Sequence, residues 1–364
     1  MFVLLSVLFL TLFLFYECYW KRKDYPKGPT PLPLIGNLHT IAKYQPGYDA
    51  FLMWKKQFGP IYTFWEGTEP VIAFCDFESV NEAFVKQSEK FSNRAIYPDF
   101  SKAMRNGYLG IFYARDDMWQ SQRRFSLKVL RDLGVGKSVM EEKVINETVR
   151  LIEKIKKDAE TGEVNIIQHT SICVASVINE ILFGFNFEGE KEKEFLKLKK
   201  ISDELQNLIQ SPVNLFILPH YKYLKHLPYF NQECKKLIEC QQVLFDFVRK
   251  DIKDHINHYD SNNEPTDFVT AFLNEMHKED NQNDPNSDFN EEQLTVLVND
   301  IFVAGLETTI TTILYGIIYM LHNSETQEKI HEELDRVIGS SRIITTADKN
   351  NLIYTQAVVN EMNR

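Results

Sequence analysis

Residues 291–321 form an almost continuous apolar stretch, which constrains the fold more than any other part of the chain. As a helix it would span about 45 Å, long enough for a buried core element or a membrane crossing. Asn290 stands at the N-cap position and Gln293 at the capping-box position. Asp300 and Glu307 would be costly in lipid, so we predict a buried core helix, with a second membrane span as the alternative.

One face of this helix combines small and polar side chains. A turn of about 100° per residue places the following side chains within about 100° of one another: Asp300, Ala304, Glu307, Thr308, Thr311 and Tyr315. Buried polar groups require partners. Two interpretations are open: the stripe faces a ligand, or its threonines only bond the carbonyl oxygen four residues earlier.

Residues 1–20 are predicted to form a membrane anchor. They are almost all apolar or aromatic, Glu17 is their only charge, and about twenty residues are needed to cross a bilayer. Lys21, Arg22 and Lys23 follow at once, so the positive-inside rule places the N-terminus in the lumen and the body in the cytosol. The alternative is a cleaved signal peptide, which would need a charged start and a small-residue cleavage site, and the segment has neither.

The remaining chain is predicted to be a hinge followed by a mainly α-helical body with a small β region. Residues 21–44 are basic and rich in proline, which keeps a chain extended, and residues 45–364 form the body. Two β-patterned runs, Ile61–Trp65 and Pro70–Phe74, predict a hairpin, and residues 91–113 predict a long aromatic loop. The predicted helices are Tyr48–Gln57, Met118–Leu130, Glu141–Lys157, Ile166–Phe183, Lys191–Gln210, Gln232–His258, Asp267–Met276 and one that begins at a capping box of Ser324 and Gln327 and ends before Gly339.

Composition argues against a nucleic-acid partner and against a disulfide framework. The net charge of −10 argues against a nucleic-acid partner. The cysteines number five and have no paired spacing, which favours reduced thiols over a disulfide framework.

Five stretches, in the same order along the chain, resemble motifs of the cytochrome P450 superfamily and of its microsomal drug-metabolising members. Ala304–Thr309, with the sequence AGLETT, is similar to the family's oxygen-binding motif on its central helix. The other four are the proline-rich hinge Lys27–Leu38, a tryptophan-three-arginine helix with Trp119 and Arg123, the segment Ser176–Phe187, and the Glu-x-x-Arg helix Ala347–Arg364. The resemblance implies the cytochrome P450 fold over the whole chain as given, with the C-terminal part of that fold missing.

The resemblance makes Trp119 and Arg123 donors to the propionates of haem b. The two residues are four apart and share one helix face. Arg124, Lys128 and Arg131 lie on a face rotated by about 100°, where an acidic flavoprotein reductase could dock. The alternative is one buried tryptophan beside a solvated run of charge.

The resemblance also makes Thr308 and Glu307 the candidates for proton delivery. A hydroxyl that both donates and accepts, backed by a carboxylate, suits a relay. Ala304 and Gly305 would leave room for oxygen. The aromatic loop and the apolar stretch 205–218 could line an apolar substrate pocket, and ordinary core packing explains them equally well.

Two positions depart from the family pattern. Ile353 stands where the family has a proline before the tyrosine of the last helix. The family's axial cysteine lies in a glycine- and arginine-containing loop after the Glu-x-x-Arg helix, whose Glu361 and Arg364 would form a structural ion pair. None of the cysteines of this chain stands in such a loop: Cys18, Cys75, Cys173, Cys234 and Cys240. We therefore expect no metal ligand here, in a chain truncated before the ligand loop.

For the complete protein the resemblance implies a haem monooxygenase that inserts one atom of O2 into an apolar organic substrate of xenobiotic, fatty acid or steroid type. Electrons would come from NADPH through the flavoprotein reductase, with cytochrome b5 as a further partner. The expected location is the endoplasmic reticulum membrane, with one N-terminal anchor. The alternative is a truncated, catalytically inactive membrane-anchored fragment or pseudoenzyme without the thiolate, and we expect the 364-residue chain itself to be inactive.

Overall fold

Helices make up most of this protein, and one antiparallel pair of strands accompanies them among the residues that the structure describes. A computed structural model describes residues 2–44, 47–94, 97–278, 281, 284, 287–340 and 342–363. The helices are α1 (Phe2–Cys18), α2 (Leu38–Lys43), α3 (Tyr48–Phe58), α4 (Phe77–Val80), α5 (Pro98–Arg105), α6 (Asp116–Asp132), α7 (Ser138–Ala159), α8 (Ile166–Phe183), α9 (Glu190–Gln210), α10 (Pro212–Leu224), α11 (Pro228–His258), α12 (Phe268–Met276), α13 (Glu291–His322), α14 (Ser324–Val337) and α15 (Ile353–Met362). The strands are β1 (Ile61–Glu66) and β2 (Glu69–Phe74). The predicted class, mainly α with a small β region, is confirmed.

The chain divides into two compact units. The first comprises residues 1–108, 113–116 and 201–243, and the second comprises residues 109–112, 117–200 and 244–364. In the first unit the predicted hairpin is confirmed, because β1 and β2 pair antiparallel from Ile61 opposite Phe74. α3 covers this hairpin, and the apolar residues buried there are Ala50, Trp54, Tyr62 and Phe64.

The proline-rich hinge lies against β1. Asn37 is buried, and its side-chain oxygen accepts from the Trp65 N–H at 2.9 Å while its own N–H donates to the Trp65 carbonyl at 2.7 Å. Its side-chain amide also donates to the Thr30 carbonyl at 3.1 Å. A Cβ added to Gly36 would lie 2.3 Å from the Trp65 carbonyl oxygen, so only glycine allows this approach. We call this set of contacts the Asn37 clamp.

The core of the second unit lies among α8, α12 and α13. Its fully buried side chains include Leu182 on α8, Phe268 and Phe272 on α12, and Leu294 and Leu297 on α13. Each such side chain contributes about 1.5–3 kcal/mol on burial. Among the described residues, three segments are long and apolar enough to cross a membrane: Phe2–Arg22, which contains α1, and the helices α8 and α13. Two thirds of α8 is buried in protein, whereas none of Phe2–Arg22 is. α8 is therefore a core helix.

The segment after α8 folds back onto that helix. Gly184 ends α8 with a φ of 75°. The Ser176 hydroxyl then accepts from the Phe187 N–H at 3.1 Å, and the Asn179 amide donates to the Phe185 carbonyl at 2.8 Å. Ser176 and Asn179 thus provide hydrogen-bond partners for backbone groups of the segment that folds back onto α8.

One helix lies where a loop was predicted, and another where no element was predicted. α5 occupies part of the predicted aromatic loop 91–113, begins with Pro98 and ends at Asn106, which takes a left-handed conformation with a φ of 59°. α10 overlaps the predicted apolar stretch 205–218 and continues through Pro219. In α5 the proline and asparagine mark the two ends of a short helix. The loop prediction was wrong there because it took these residues as signs of a continuous loop.

The ends of α14 confirm one predicted signal and contradict another. Gly339 follows the helix with a φ of 72°, as expected for a stop. The predicted capping box of Ser324 and Gln327 is wrong, because Asn323 is the N-cap and its side chain does not cap the helix. It donates instead to the Tyr319 carbonyl at 2.8 Å and closes the end of α13.

A distant carboxylate caps the start of α15. Glu333 of α14 accepts from the backbone N–H groups of Tyr354 at 3.0 Å and Thr355 at 2.8 Å. These bonds hold the pKa of the Glu333 carboxyl below its usual value. Ile353 is the first residue of this helix, so Glu333 satisfies donors at an end where the family's proline is absent.

Candidate active site

The first half of α13 fixes a loop of its own unit through two buried side chains. Gln293 accepts from the Gly110 N–H at 2.8 Å and donates to the Gly110 carbonyl at 3.0 Å. Asp300 accepts from the N–H groups of Ile111 at 2.8 Å and Phe112 at 3.1 Å. Seven residues are about two helical turns, so both side chains face the same way. They hold loop 110–112 against the helix.

This arrangement corrects the predicted capping box of α13. The Asn290 side chain accepts from the Gln293 N–H at 2.9 Å, so the predicted N-cap is confirmed. The Gln293 side chain does not return to Asn290, because Gly110 already uses both its oxygen and its nitrogen.

Only part of the predicted polar stripe is exposed, on the second half of α13, whereas Asp300 is buried and Glu307 is mostly buried. Thr308 and Ala304 are exposed, and the Thr308 hydroxyl donates to the Ala304 carbonyl at 2.7 Å. One turn later the Thr312 hydroxyl donates to the Thr308 carbonyl at 2.9 Å. Tyr315 continues the exposed stripe. Thr308 and Thr312 therefore bond their own helix, as one interpretation expected, and their oxygens keep the capacity to accept from a ligand.

Gly305 and Ala304 face different surroundings. A Cβ added to Gly305 would lie 3.0 Å from the Ile178 side chain of α8, so the glycine allows the two helices to approach. Ala304 lies on the exposed stripe, where its small side chain leaves space. The cofactor-binding roles predicted for both residues stay predictions.

Glu307 pairs with a lysine of α9. Its carboxylate lies 3.2 Å from the Lys199 ammonium, and both side chains are mostly buried. Within the described part of the chain, no hydrogen bond joins Glu307 to Thr308. These two proton-delivery candidates are adjacent in sequence, but their side chains are not hydrogen-bonded to each other. A proton relay between them would require the Glu307 side chain to turn.

Trp119 and Arg123 lie together on α6. The Arg123 guanidinium is 5.6 Å from the Trp119 ring centre, a cation–π distance. Arg123 is exposed, and among the described residues it forms no ion pair or hydrogen bond. A guanidinium without an anion beside an indole N–H offers several donors to a negatively charged group. No described contact joins this pair to the exposed stripe.

A cleft of about 410 Å³ lies beside the predicted docking face of α6. Arg124 and Lys128 line it together with Lys278, but Asp117 and Glu275 line it too. The cleft therefore has mixed charge.

The surroundings of the described thiols do not favour a metal ligand. They are all free, namely Cys75, Cys173, Cys234 and Cys240, and the Cys18 side chain lies outside the described residues. Burial raises the pKa of the Cys234 and Cys240 thiols, which disfavours the thiolate that a metal requires. In the described ranges, no group of three or more His, Cys, Asp or Glu side chains could hold a metal ion.

A haem therefore fits these residues only in part. Trp119 and Arg123 would hold its propionates, and the exposed stripe from Ala304 to Thr308 would face it, but no described cysteine fits the axial position. Glu361 is exposed on α15, and Arg364 lies outside the described residues, as does the predicted ion pair between them.

Three contacts of this site escaped the sequence prediction. The roles of Gln293 and Asp300 could have been found from two polar side chains seven residues apart in an apolar helix, although the loop they bind is remote in sequence. The partner of Glu307 carries no such signal, because Lys199 is one of several lysines on α9.

Comparison with known proteins indicates the same family as the sequence motifs do. Residues 26–364 match the family description "Cytochrome P450". Cytochrome P450 2H2 of Gallus gallus is 34% identical over 349 residues, covering 94% of this chain and 67% of its own length. Cytochrome P450 2A9 of Mesocricetus auratus is 33% identical over 95% of this chain and 68% of its own, and cytochrome P450 2C8 of Homo sapiens is 34% identical over 100% and 72%. The chain therefore belongs to the cytochrome P450 family of haem monooxygenases.

Proposed function

We propose that this chain carries the anchor and the oxygen-side helix of a monooxygenase that inserts one atom of O2 into an apolar organic substrate. Xenobiotic, fatty acid and steroid substrates suit it. NADPH supplies the electrons through a flavoprotein reductase, and cytochrome b5 is a further partner. The carrying observation is the exposed stripe with Ala304 and Thr308, which coincides with the family's oxygen-binding motif. Haem b, when bound, supplies the oxygen chemistry.

The part of Thr308 in this proposal is to hold a proton beside the reacting oxygen. Its hydroxyl donates to the Ala304 carbonyl and can accept from water or substrate. In a protein that also supplies the thiolate loop, Thr308→Ala should divert oxygen consumption from product to peroxide. Thr312→Ala is the matched control, because Thr312 is also exposed and bonds its own helix in the same way. Equal coupling in both variants would remove Thr308 from the mechanism.

Trp119 and Arg123 are proposed to hold the propionates. Arg123→Ala should then lose haem during dialysis, whereas Arg124→Ala, an equally exposed neighbour on another face, should retain it. Full retention in both variants would exclude this role.

The second candidate is a membrane-anchored protein without catalysis, which the environment of the cysteines favours. For the purified 364-residue chain we expect no red-shifted Soret band of the thiolate type after reduction and carbon monoxide binding. Such a band would force one of the five cysteines to be the ligand. A transcript that encodes a glycine-rich loop with one cysteine beyond codon 364 would favour the enzyme, and an immediate stop codon the inactive protein.

We also propose that α1 anchors the chain in the endoplasmic reticulum membrane with its body in the cytosol. None of its apolar length is buried in protein, and basic residues follow its end. In sealed microsomes a tag at residue 1 should be protected from protease while the body is digested. Digestion of the tag in intact vesicles would contradict this topology.

A further inference from the structure

We propose that the segment directly after α1 forms a binding site for the phosphate of an anionic phospholipid. The site is a cavity of about 470 Å³ between this segment and the hairpin of the first unit. Arg22, Lys23 and Lys27 line one part of it, and Thr63 and Trp65 of β1 line another. The assignment of a lipid as ligand rests on the proposed anchoring by α1.

The charge of the lining favours an anion. Three basic residues line the cavity and no acidic residue does. Lys23 and Lys27 are exposed, and in the described part of the chain neither forms an ion pair. Asp24 lies between them in sequence but is not part of the lining. Arg22 is held in place by its hydrogen bond to the Gly28 carbonyl at 2.7 Å.

Thr63 gives an independent indication of a polar ligand. It is only 3% exposed, and its hydroxyl has no hydrogen-bond partner among the described residues. A buried hydroxyl without a partner is uncommon, because its lost hydrogen bonds to water are not replaced. Thr63 lines the cavity, so a turn of its side chain would let the hydroxyl donate to a phosphate oxygen there.

Aromatic rings place the cavity at the depth of lipid headgroups. Tyr19 follows the end of α1 directly and lines the cavity, and Tyr25 packs edge-on against Trp65 with ring centres 5.8 Å apart. The Lys23 ammonium lies 4.1 Å from the Trp20 ring. Tyrosine and tryptophan prefer the membrane interface, and basic residues there attract anionic lipids of the cytosolic leaflet. The source of the phosphate is therefore a lipid rather than a soluble metabolite.

The first test compares two double variants of the full chain in neutral detergent micelles. Binding of phosphatidylserine, relative to phosphatidylcholine, is measured by native mass spectrometry. Lys23→Ala with Lys27→Ala should lower this preference by about twenty-fivefold, since one lysine near an anionic surface is worth about fivefold. Lys55→Ala with Lys56→Ala removes the same charge from the exposed side of α3, outside the cavity, and should preserve it. An equal loss in both variants would show that the preference comes from the overall charge of the protein and not from the cavity, which would overturn the proposal.

The second test asks whether the cavity, beyond its charge, recognises the phosphate. Thr63→Val removes the hydroxyl and keeps a β-branched side chain in the strand. Because both lipids carry a phosphate, the affinity for phosphatidylserine itself should fall severalfold. Thr63→Ser should restore this affinity, and an unchanged affinity in Thr63→Val would exclude the cavity as the binding site.

Two further measurements separate the lipid from its alternatives. Inorganic phosphate at low millimolar concentration should not displace phosphatidylserine, and displacement would assign the cavity to a soluble anion. Flotation of the full chain with vesicles of pure phosphatidylcholine tests anchoring alone. A chain that floats but shows no lysine-dependent preference contradicts the site and preserves the anchor. A chain that shows the preference but does not float contradicts the anchor and preserves the site.

Discussion

From Gln293 to Asp300 every side chain of α13 is buried, whereas from Ala304 onward burial is confined to one narrow side of the same helix. Both halves are mostly apolar and contain isolated polar residues. In the first half those residues bond to loop 110–112, and in the second half the hydroxyls of Thr308 and Thr312 bond to their own helix. Polar residues in an apolar helix therefore have two different uses here: the first set holds the protein together, and the second remains available to a ligand.

The largest change in stability should come from shortening a side chain on the narrow buried side of the second half of α13. Leu306 is 1% exposed, and Leu306→Ala should destabilise the chain by about 3.5 kcal/mol through lost burial and a cavity. Leu321 on the same half is 73% exposed, and its alanine variant should change stability by less than about 0.5 kcal/mol. Urea unfolding in detergent, followed by circular dichroism, measures both. Similar midpoints would show that the second half has no buried side.

The next effect tests the polar anchor of the first half. Asp300→Ala leaves two backbone donors of loop 110–112 without their charged acceptor and should cost about 3 kcal/mol. Asp335→Ala, an exposed carboxylate of α14, is the control and should cost less than about 0.5 kcal/mol. If the two variants unfold at the same urea concentration, the loop is held by other contacts.

A pH series sharpens the contrast between buried and exposed polar groups in the second unit. Burial of His255 disfavours its charged form, but hydrogen bonds to Asp267 and to two carbonyl oxygens outweigh this, so the pKa of His255 lies above 6.5. The stabilisation is then complete below about pH 6.5 and is lost as pH rises through the raised pKa. His255→Gln should cost about 2 kcal/mol near pH 5.5 and less at pH 9. A cost that does not vary with pH would contradict a charged His255.

The smallest change in stability should come from the exposed stripe. Thr308→Ala removes a hydroxyl that bonds only its own helix, so the free energy of unfolding should change by less than about 0.5 kcal/mol. A loss above 1 kcal/mol on urea unfolding would show that the stripe is part of the core and would break the comparison.

Local signals predicted most of the helices and both strands. α8 was predicted at its observed bounds, Ile166–Phe183, because its apolar run ends at a glycine. The hairpin was predicted from two short runs around Gly67, whose positive φ of 63° suits a tight turn. Each of these signals acts within a few residues, so the sequence contains it completely.

The partners of polar side chains could not be predicted in the same way. Gln293 had the spacing of a capping-box residue, yet it bonds Gly110, which is 183 residues away. Glu333 caps a helix that begins twenty residues later, and no local pattern around it indicates this partner. These contacts depend on tertiary packing, which brings together groups that no local pattern relates.

The Asn37 clamp also determines how the chain would respond to mechanical force. A pull on α1, as when a membrane bends or a bound partner moves, reaches the folded protein along the hinge. Asn37 bonds Trp65 through both its backbone N–H and its side-chain oxygen, so these two hydrogen bonds would share the load where the hinge meets β1. Tension on the hinge would therefore be taken up first at its contact with β1, within the first unit.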